Sequence, residues 1–214
     1  MNNKYAAFLL LFLSFQAQAY QSVSADLSLV SDRLLRGFSL TNEEQSVIGG
    51  AHYKHSEFYS GAVAFSNIQI NGGTRETLID VVLGKKFETE YLTWDVGYIE
   101  HVFTKVDNVD SGEWFVGSII DNYSLHYYQN NKLNERYLDF NAHYRFADLY
   151  KLTFHVGKLD AENLDAKDFV DYSVGIFRDY NDLNFGLSYA YNDNDDLLRE
   201  LAGSHVVLSM SKRW

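Results

Sequence analysis

The 214-residue sequence predicts an all-β fold: a transmembrane, antiparallel, up-and-down β-barrel of about twelve strands behind a cleaved signal peptide. Three observations predict it. Strand-like segments are joined by gaps that alternate between long and very short, as in membrane barrels with short periplasmic turns and longer outer loops. Within many segments apolar and polar residues alternate, which sends them to opposite faces of a strand. The chain also has no Pro but sixteen Tyr and fifteen Phe. Pro removes a ladder hydrogen bond, and aromatic side chains gather at membrane interfaces.

The elements follow in order. Met1–Ala19 reads as a secretory signal: Lys4 is the positive region, Tyr5–Phe15 the apolar core and Ala17-Gln18-Ala19 the cleavage site. Its core is too short for the ~20 residues of a membrane helix. Residues 20–214 then form one barrel domain. Its segments are expected to start near residues 23, 45, 58, 76, 91, 113, 122, 135, 149, 168, 182 and 204. Long gaps fall at Asp32–Glu44, Asn71–Arg75, Lys105–Gly112, Asn130–Asn134, Leu159–Lys167 and Asn192–Gly203. Tight turns fall at His55–Glu57, Glu88–Glu90, Asp121, Ala147–Asp148 and Asn181–Asp182. The first segment and the pair across Glu113–Gln129 are the weakest, so ten strands is the alternative count.

Face assignment decides between a soluble and a membrane barrel. In Tyr137–Phe146, Leu138, Phe140, Ala142 and Tyr144 oppose Asp139, Asn141, His143 and Arg145. A soluble barrel turns the apolar set inward and a membrane barrel turns it outward. Aromatics concentrate at the short-turn ends (Tyr53, Phe58, Tyr59, Phe87, Tyr91, Tyr123, Phe146, Tyr150, Tyr180 and Trp214), as an interfacial girdle requires. The polar face mixes Gly and Ser with charges, which suits a packed or wet lumen. The alternating run Val206, Leu208, Met210, Lys212 and Trp214 ends on an aromatic, similar to the strand read by the outer-membrane barrel assembly machinery. These cues select the apolar-out arrangement.

A net charge of −11 argues against nucleic acid. Without Cys there are no disulfides, thiolate metal sites or N-terminal lipid attachment. Acidic residues cluster in the long gaps: Asp107, Asp110 and Glu113; Asp160, Glu162, Asp165 and Asp168; Asp193, Asp195, Asp196 and Glu200. They are expected to be solvated surface, with divalent-cation bridging to lipopolysaccharide as the sharper alternative. Asp193-Asn194-Asp195-Asp196 lacks the Gly and distal Glu of a calcium loop, so no metal site is assigned.

Ser31-Asp32-Arg33-Leu34-Leu35-Arg36-Gly37-Phe38-Ser39, then Gly49-Gly50, Tyr59-Ser60-Gly61 and Ser66-Asn67, form a recognisable series. Glu76, Asp80, Gly84 and Glu113-Trp114-Phe115-Val116-Gly117 extend it. The series resembles the TorF-type porin family, conserved bacterial outer-membrane proteins of unknown function. The resemblance implies a channel-like barrel and brings no catalytic residue or substrate. Gln45-Ser46-Val47-Ile48 stands where many members carry Pro, so the first loop is expected to differ.

The candidate lumen lining is His52, Lys54, Asp80, Asp95, His126, Asp139, His143, Arg145, Lys151, His155 and Asp171, with His101, His205 and Arg213 on the same face. Two roles compete for it: paired charges filling a narrow interior, or charge rings setting selectivity. Asp32, Arg36 and Gly37 mark the first strand and loop, where Arg36-Gly37 shapes a turn or Asp32 and Arg36 pair across a constriction. No cofactor is implied. The expected function is an outer-membrane channel for passive diffusion of small hydrophilic solutes. The alternatives are a non-conducting structural or adhesive barrel and, behind it, an outer-membrane acyl hydrolase. For the hydrolase, no Gly-x-Ser-x-Gly elbow is present and the His residues avoid the apolar face. Expected partners are outer-membrane lipid and lipopolysaccharide, the assembly machinery through Trp214, and the solute itself.

Overall fold

The computed structural model describes residues 21–69, 74–105, 111–147, 149–161, 168–194 and 201–214. The Met1–Ala19 signal and Asp107, Asp110, Glu162, Asp165, Asp195, Asp196 and Glu200 lie outside the described residues. The barrel strands are β1 (Gln21–Val30), β4 (Ser46–His55), β5 (Phe58–Ile68), β6 (Glu76–Glu88), β7 (Thr93–Phe103), β8 (Ser111–Ile120), β9 (Tyr123–Asn130), β10 (Glu135–Phe146), β11 (Tyr150–Ala161), β12 (Phe169–Tyr180), β13 (Leu183–Asn192) and β14 (Gly203–Arg213). A small hairpin, β2 (Leu34–Leu35) and β3 (Phe38–Ser39), sits in the first long loop. Each barrel strand pairs antiparallel with its sequence neighbours, and β1 pairs with β14 to close the ring. The weakly patterned segments are present as β1, β8 and β9, so the count is twelve.

Sequence chemistry explains the turns. Asn181 and Asp182 both take positive φ (49° and 63°) between β12 and β13. That conformation matches the twist of adjoining strands and favours Asn and Asp. Between β6 and β7 the turn is wider than the sequence suggests. The Thr89 N–H and hydroxyl both donate to the Leu92 carbonyl, at 2.9 and 2.6 Å, so Tyr91 and Leu92 belong to the turn. Near the long-loop end of β5 the register slips between Phe65 and Ile68, with Asn67 at φ 61°. This bulge lets Ile68 bury fully beside Leu78 and Phe65.

The exterior is apolar. Leu27, Val47, Leu83, Val116, Leu138, Phe154, Val174, Leu187 and Leu208 are all exposed on the outward parity, as are Trp94 and Trp114. A contiguous belt of this kind far exceeds the few hundred Å² that a soluble monomer tolerates. At ~25 cal/mol per Å², lipid contact over ~80 Å² of one Leu is worth about 2 kcal/mol. Strand length agrees: the twelve residues of β10, at ~3.3 Å each and tilted by ~40°, rise about 30 Å, a bilayer core. One member of the expected girdle is misplaced. Tyr59 points inward and donates its hydroxyl to Asp95 Oδ1 at 2.7 Å, because position 59 shares parity with Gly61 and Val63.

Candidate functional site: a lumen crossed by the first loop

The loop between β1 and β4 folds across the barrel interior near the long-loop end. Two anchors on different walls hold it. Leu40 packs on the Phe65–Ile68–Leu78 cluster of β5 and β6, and its carbonyl accepts the Gln69 N–H at 2.8 Å. Phe38 packs on the Tyr137–Leu159–Phe169 cluster of β10–β12, its ring edge-on to Phe169 at 4.9 Å. The base is stapled by Asp32, whose Oδ1 accepts the Ser39 and Thr41 hydroxyls at 2.7 and 2.8 Å. His205 Nδ1 of β14 lies 3.3 Å from the other oxygen. Burial pushes the Asp32 carboxyl up, but hydrogen bonding to His205, Ser39 and Thr41 outweighs it and holds the group below its ordinary 3.8.

The hairpin tip is Arg36-Gly37, with φ of 50° and 76°. Gly37 meets two demands at once: positive φ, and an approach so close that a Cβ would lie 2.8 Å from the Asn192 Cβ. Asn192 Nδ2 also donates to the Arg36 carbonyl at 2.7 Å. From the tip, Arg36 Nη2 donates to both Glu113 oxygens at 2.7 Å, with Glu135 3.9 Å from Nη1. The guanidinium also lies 4.3 Å from the Tyr137 ring centroid. Asp32 and Arg36 therefore do not pair with each other: Asp32 latches the hairpin base and Arg36 reaches the far wall.

Beneath the hairpin lies a cavity of about 500 Å³. Its lining includes Asp32, Asp80, Glu113, Asp139 and Asp171 with Arg33, Arg36, His101 and His155. The histidines stand against carboxylates of neighbouring strands. His101 Nδ1 is 2.7 Å from Asp80 and its Nε2 is 3.9 Å from Glu113. His155 bridges Asp171 at 2.7 Å and Asp139 at 3.0 Å, and Tyr137 donates its hydroxyl to Asp171 at 2.9 Å. Gly157 leaves room for that cluster, since a Cβ there would lie 2.6 Å from Asp171 Oδ2.

Toward the short turns, His126 stands 3.4 Å and Lys86 3.7 Å from Asp95, and His52 stands 2.6 Å from Asp26. Lys54 lines a second cavity there, of about 370 Å³, with Arg213. Lys151 lies 5.5 Å from the Phe177 ring, and Arg145 lies 3.6 Å from Asp179. His143 is exposed in β10 on the Arg145 parity, opposite Thr153.

One expectation for an acidic residue fails. Glu113, expected among the solvated loop acids, is buried in β8 and holds the hairpin tip. The alternation Glu113, Phe115, Gly117 against Trp114 and Val116 carried that signal. Glu135, Asp26 and Asn192 were not singled out in the sequence, and their roles depend on which strands the barrel brings opposite them.

A closed antiparallel barrel of twelve strands, apolar outside and polar within, with a loop folded into its lumen, defines a membrane β-barrel with a porin-like fold. Solved structures agree on the fold. The KdgM porin matches with a TM-score of 0.62 at 10% identity, covering 88% of this chain and 98% of that one. The KdgM porin in complex with disordered oligogalacturonate matches at 0.63 and 9%, with the same coverage of 88% and 98%. A membrane protein from work on in-meso crystallization matches at 0.59 and 11%, covering 90% and 83%. No curated protein sequence matches. Residues 15–211 fit the model of a bacterial protein family of unknown function, Gcw_chp, and the chain belongs to that family.

Proposed function

We propose that this protein is an outer-membrane porin-like channel for passive diffusion of small hydrophilic solutes, with its width set by the β2–β3 hairpin. The observation that carries the reading is the hairpin itself: it spans the lumen from one wall to the other and leaves a polar cavity beneath. A barrel sealed for structural purposes has no need of a cavity lined by five carboxylates and two arginines. Even with His101 and His155 charged, the five carboxylates outnumber the four cations of that lining, which favours cations and neutral solutes over acidic oligomers. The likeness to a porin solved with oligogalacturonate supports a hydrophilic cargo without naming it.

Export through cleavage after Ala19 and assembly through the Trp214 strand complete the reading, with the short turns in the periplasm. Acidic loop residues such as Asp160 and Asp168 would meet lipopolysaccharide through divalent cations. The finer TorF-type assignment rests on the Ser31–Ser39 motif, whose residues build the hairpin. Against a lipid hydrolase, five of the inward histidines already face carboxylates within the lumen.

Liposome swelling with neutral sugars of rising mass tests the proposal. Swelling that falls off sharply with solute size, and moves to larger sugars when residues 33–41 are replaced by a short Gly-Ser linker, is the expected result. Equal, negligible swelling in both proteins would overturn it.

A further inference from the structure

The two lumen cavities differ in charge sign. The upper cavity is acidic. The lower one, at the short-turn end, is lined by Lys54 of β4, Lys86 of β6 and Arg213 of β14, against Asp95 and Glu57. Asp95 offsets Lys86 at 3.7 Å, but the two acids leave the lining net positive. Glu57 turns to Lys85 at 3.1 Å, and Lys85 sits on the outward parity over Phe58. Asp95 is shared by Lys86, Tyr59 and His126. Arg213 donates to the Ser24 hydroxyl at 3.1 Å, and among the described residues Lys54 enters no ion pair. Cations from three strands thus converge on a concave, partly enclosed space of about 370 Å³, large enough for a small carboxylate or phosphate.

We propose that this vestibule is an anion-binding subsite that takes a carboxylate or phosphate group of a solute passing the short-turn mouth. Like charges around a low-dielectric cleft focus field and concentrate counter-ions. Arg supplies the planar fork that fits either oxyanion, while Lys adds point charge. All three cations lie at inward positions, so the ligand is a solute in the lumen, not a headgroup of the surrounding leaflet. The solute's passage rests on the channel reading, but occupancy of the site needs no ion flow and is measured apart from conductance.

Inorganic phosphate titrated into the refolded mature barrel in neutral detergent, followed by ³¹P line broadening, tests it. Saturable binding is expected, weakened about ten-fold or more in Lys54→Gln/Arg213→Gln, as loss of charge-assisted hydrogen bonds implies. Lys54→Arg should retain it, and Arg213→Gln alone should give an intermediate loss, which serves if the double variant does not fold. No saturable binding by the wild type, or equal affinity in the charge-removed variants, overturns the subsite. A barrel that binds phosphate but passes no current overturns the channel reading alone; one that conducts but does not bind overturns the subsite alone.

Discussion

Arg36 and Glu113 meet under the hairpin tip with both side chains largely buried, at 14% and 7% exposure. Removing one partner of such a pair strands the other, at a cost of about 3–5 kcal/mol. Arg36→Ala leaves Glu113 with His101 at 3.9 Å as its nearest cation. The expected outcome is a wider and more cation-selective channel, read as larger unit conductance and a shifted reversal potential; an unchanged reversal potential contradicts the filter role. Gly37→Ala forces a side chain into positive φ and against Asn192, a strain of about 1–3 kcal/mol. It should loosen the hairpin, seen as faster proteolysis within residues 33–41. Asp32 gives the pH dependence. Its carboxyl is depressed in the folded state, so its contribution is present above the unfolded value and is lost as pH falls through the folded one. The hairpin should therefore stay latched at neutral pH and release only below about 4. Pepsin cleavage of the loop across that range checks this, and Asp32→Asn should abolish the acid step.

Among the elements of the barrel, the seam between β1 and β14 is the shortest ladder, with five registered pairs from Asp26–Arg213 to Val30–Ser209, against ten between β1 and β4. Trp214 extends it by a reciprocal pair of hydrogen bonds with Ala25, at 2.8 and 3.2 Å. At about 0.5–1.5 kcal/mol each, these are a sizeable share of a short seam. Deleting Trp214 should lower the yield of heat-modifiable barrel; a normal yield would count against the seam argument. The barrel strands were legible because a strand with lipid on one side and a polar lumen on the other alternates strongly, and every observed start lies within about two residues of the expected one. The β2–β3 hairpin was not legible, since two-residue strands carry no period. Nor could the inward fold of the first loop be read, because it is fixed by Glu113, Asn192 and Phe169, distant in sequence. Tyr59 departs from the expected girdle because an aromatic near a short turn looks interfacial until its parity is compared with Gly61 and Val63.

For the whole molecule, the decisive property is a lumen that is acidic under the hairpin and basic toward the short turns. Inward parity picked out most of these charges in the sequence, but their pairing depends on strand register and barrel closure, which no local pattern encodes. Asp139→Lys places a cation in the acidic chamber and should move selectivity toward anions; Asp95→Lys should do the same from the lower side by freeing Lys86. Single-channel recording of the refolded mature protein in a planar bilayer under a salt gradient decides whether the hairpin constricts a conducting pore. A constricted pore predicts discrete steps with a stable reversal potential, and larger steps once residues 33–41 are replaced by a short linker. A folded, inserted barrel that stays silent both with and without the hairpin would contradict it.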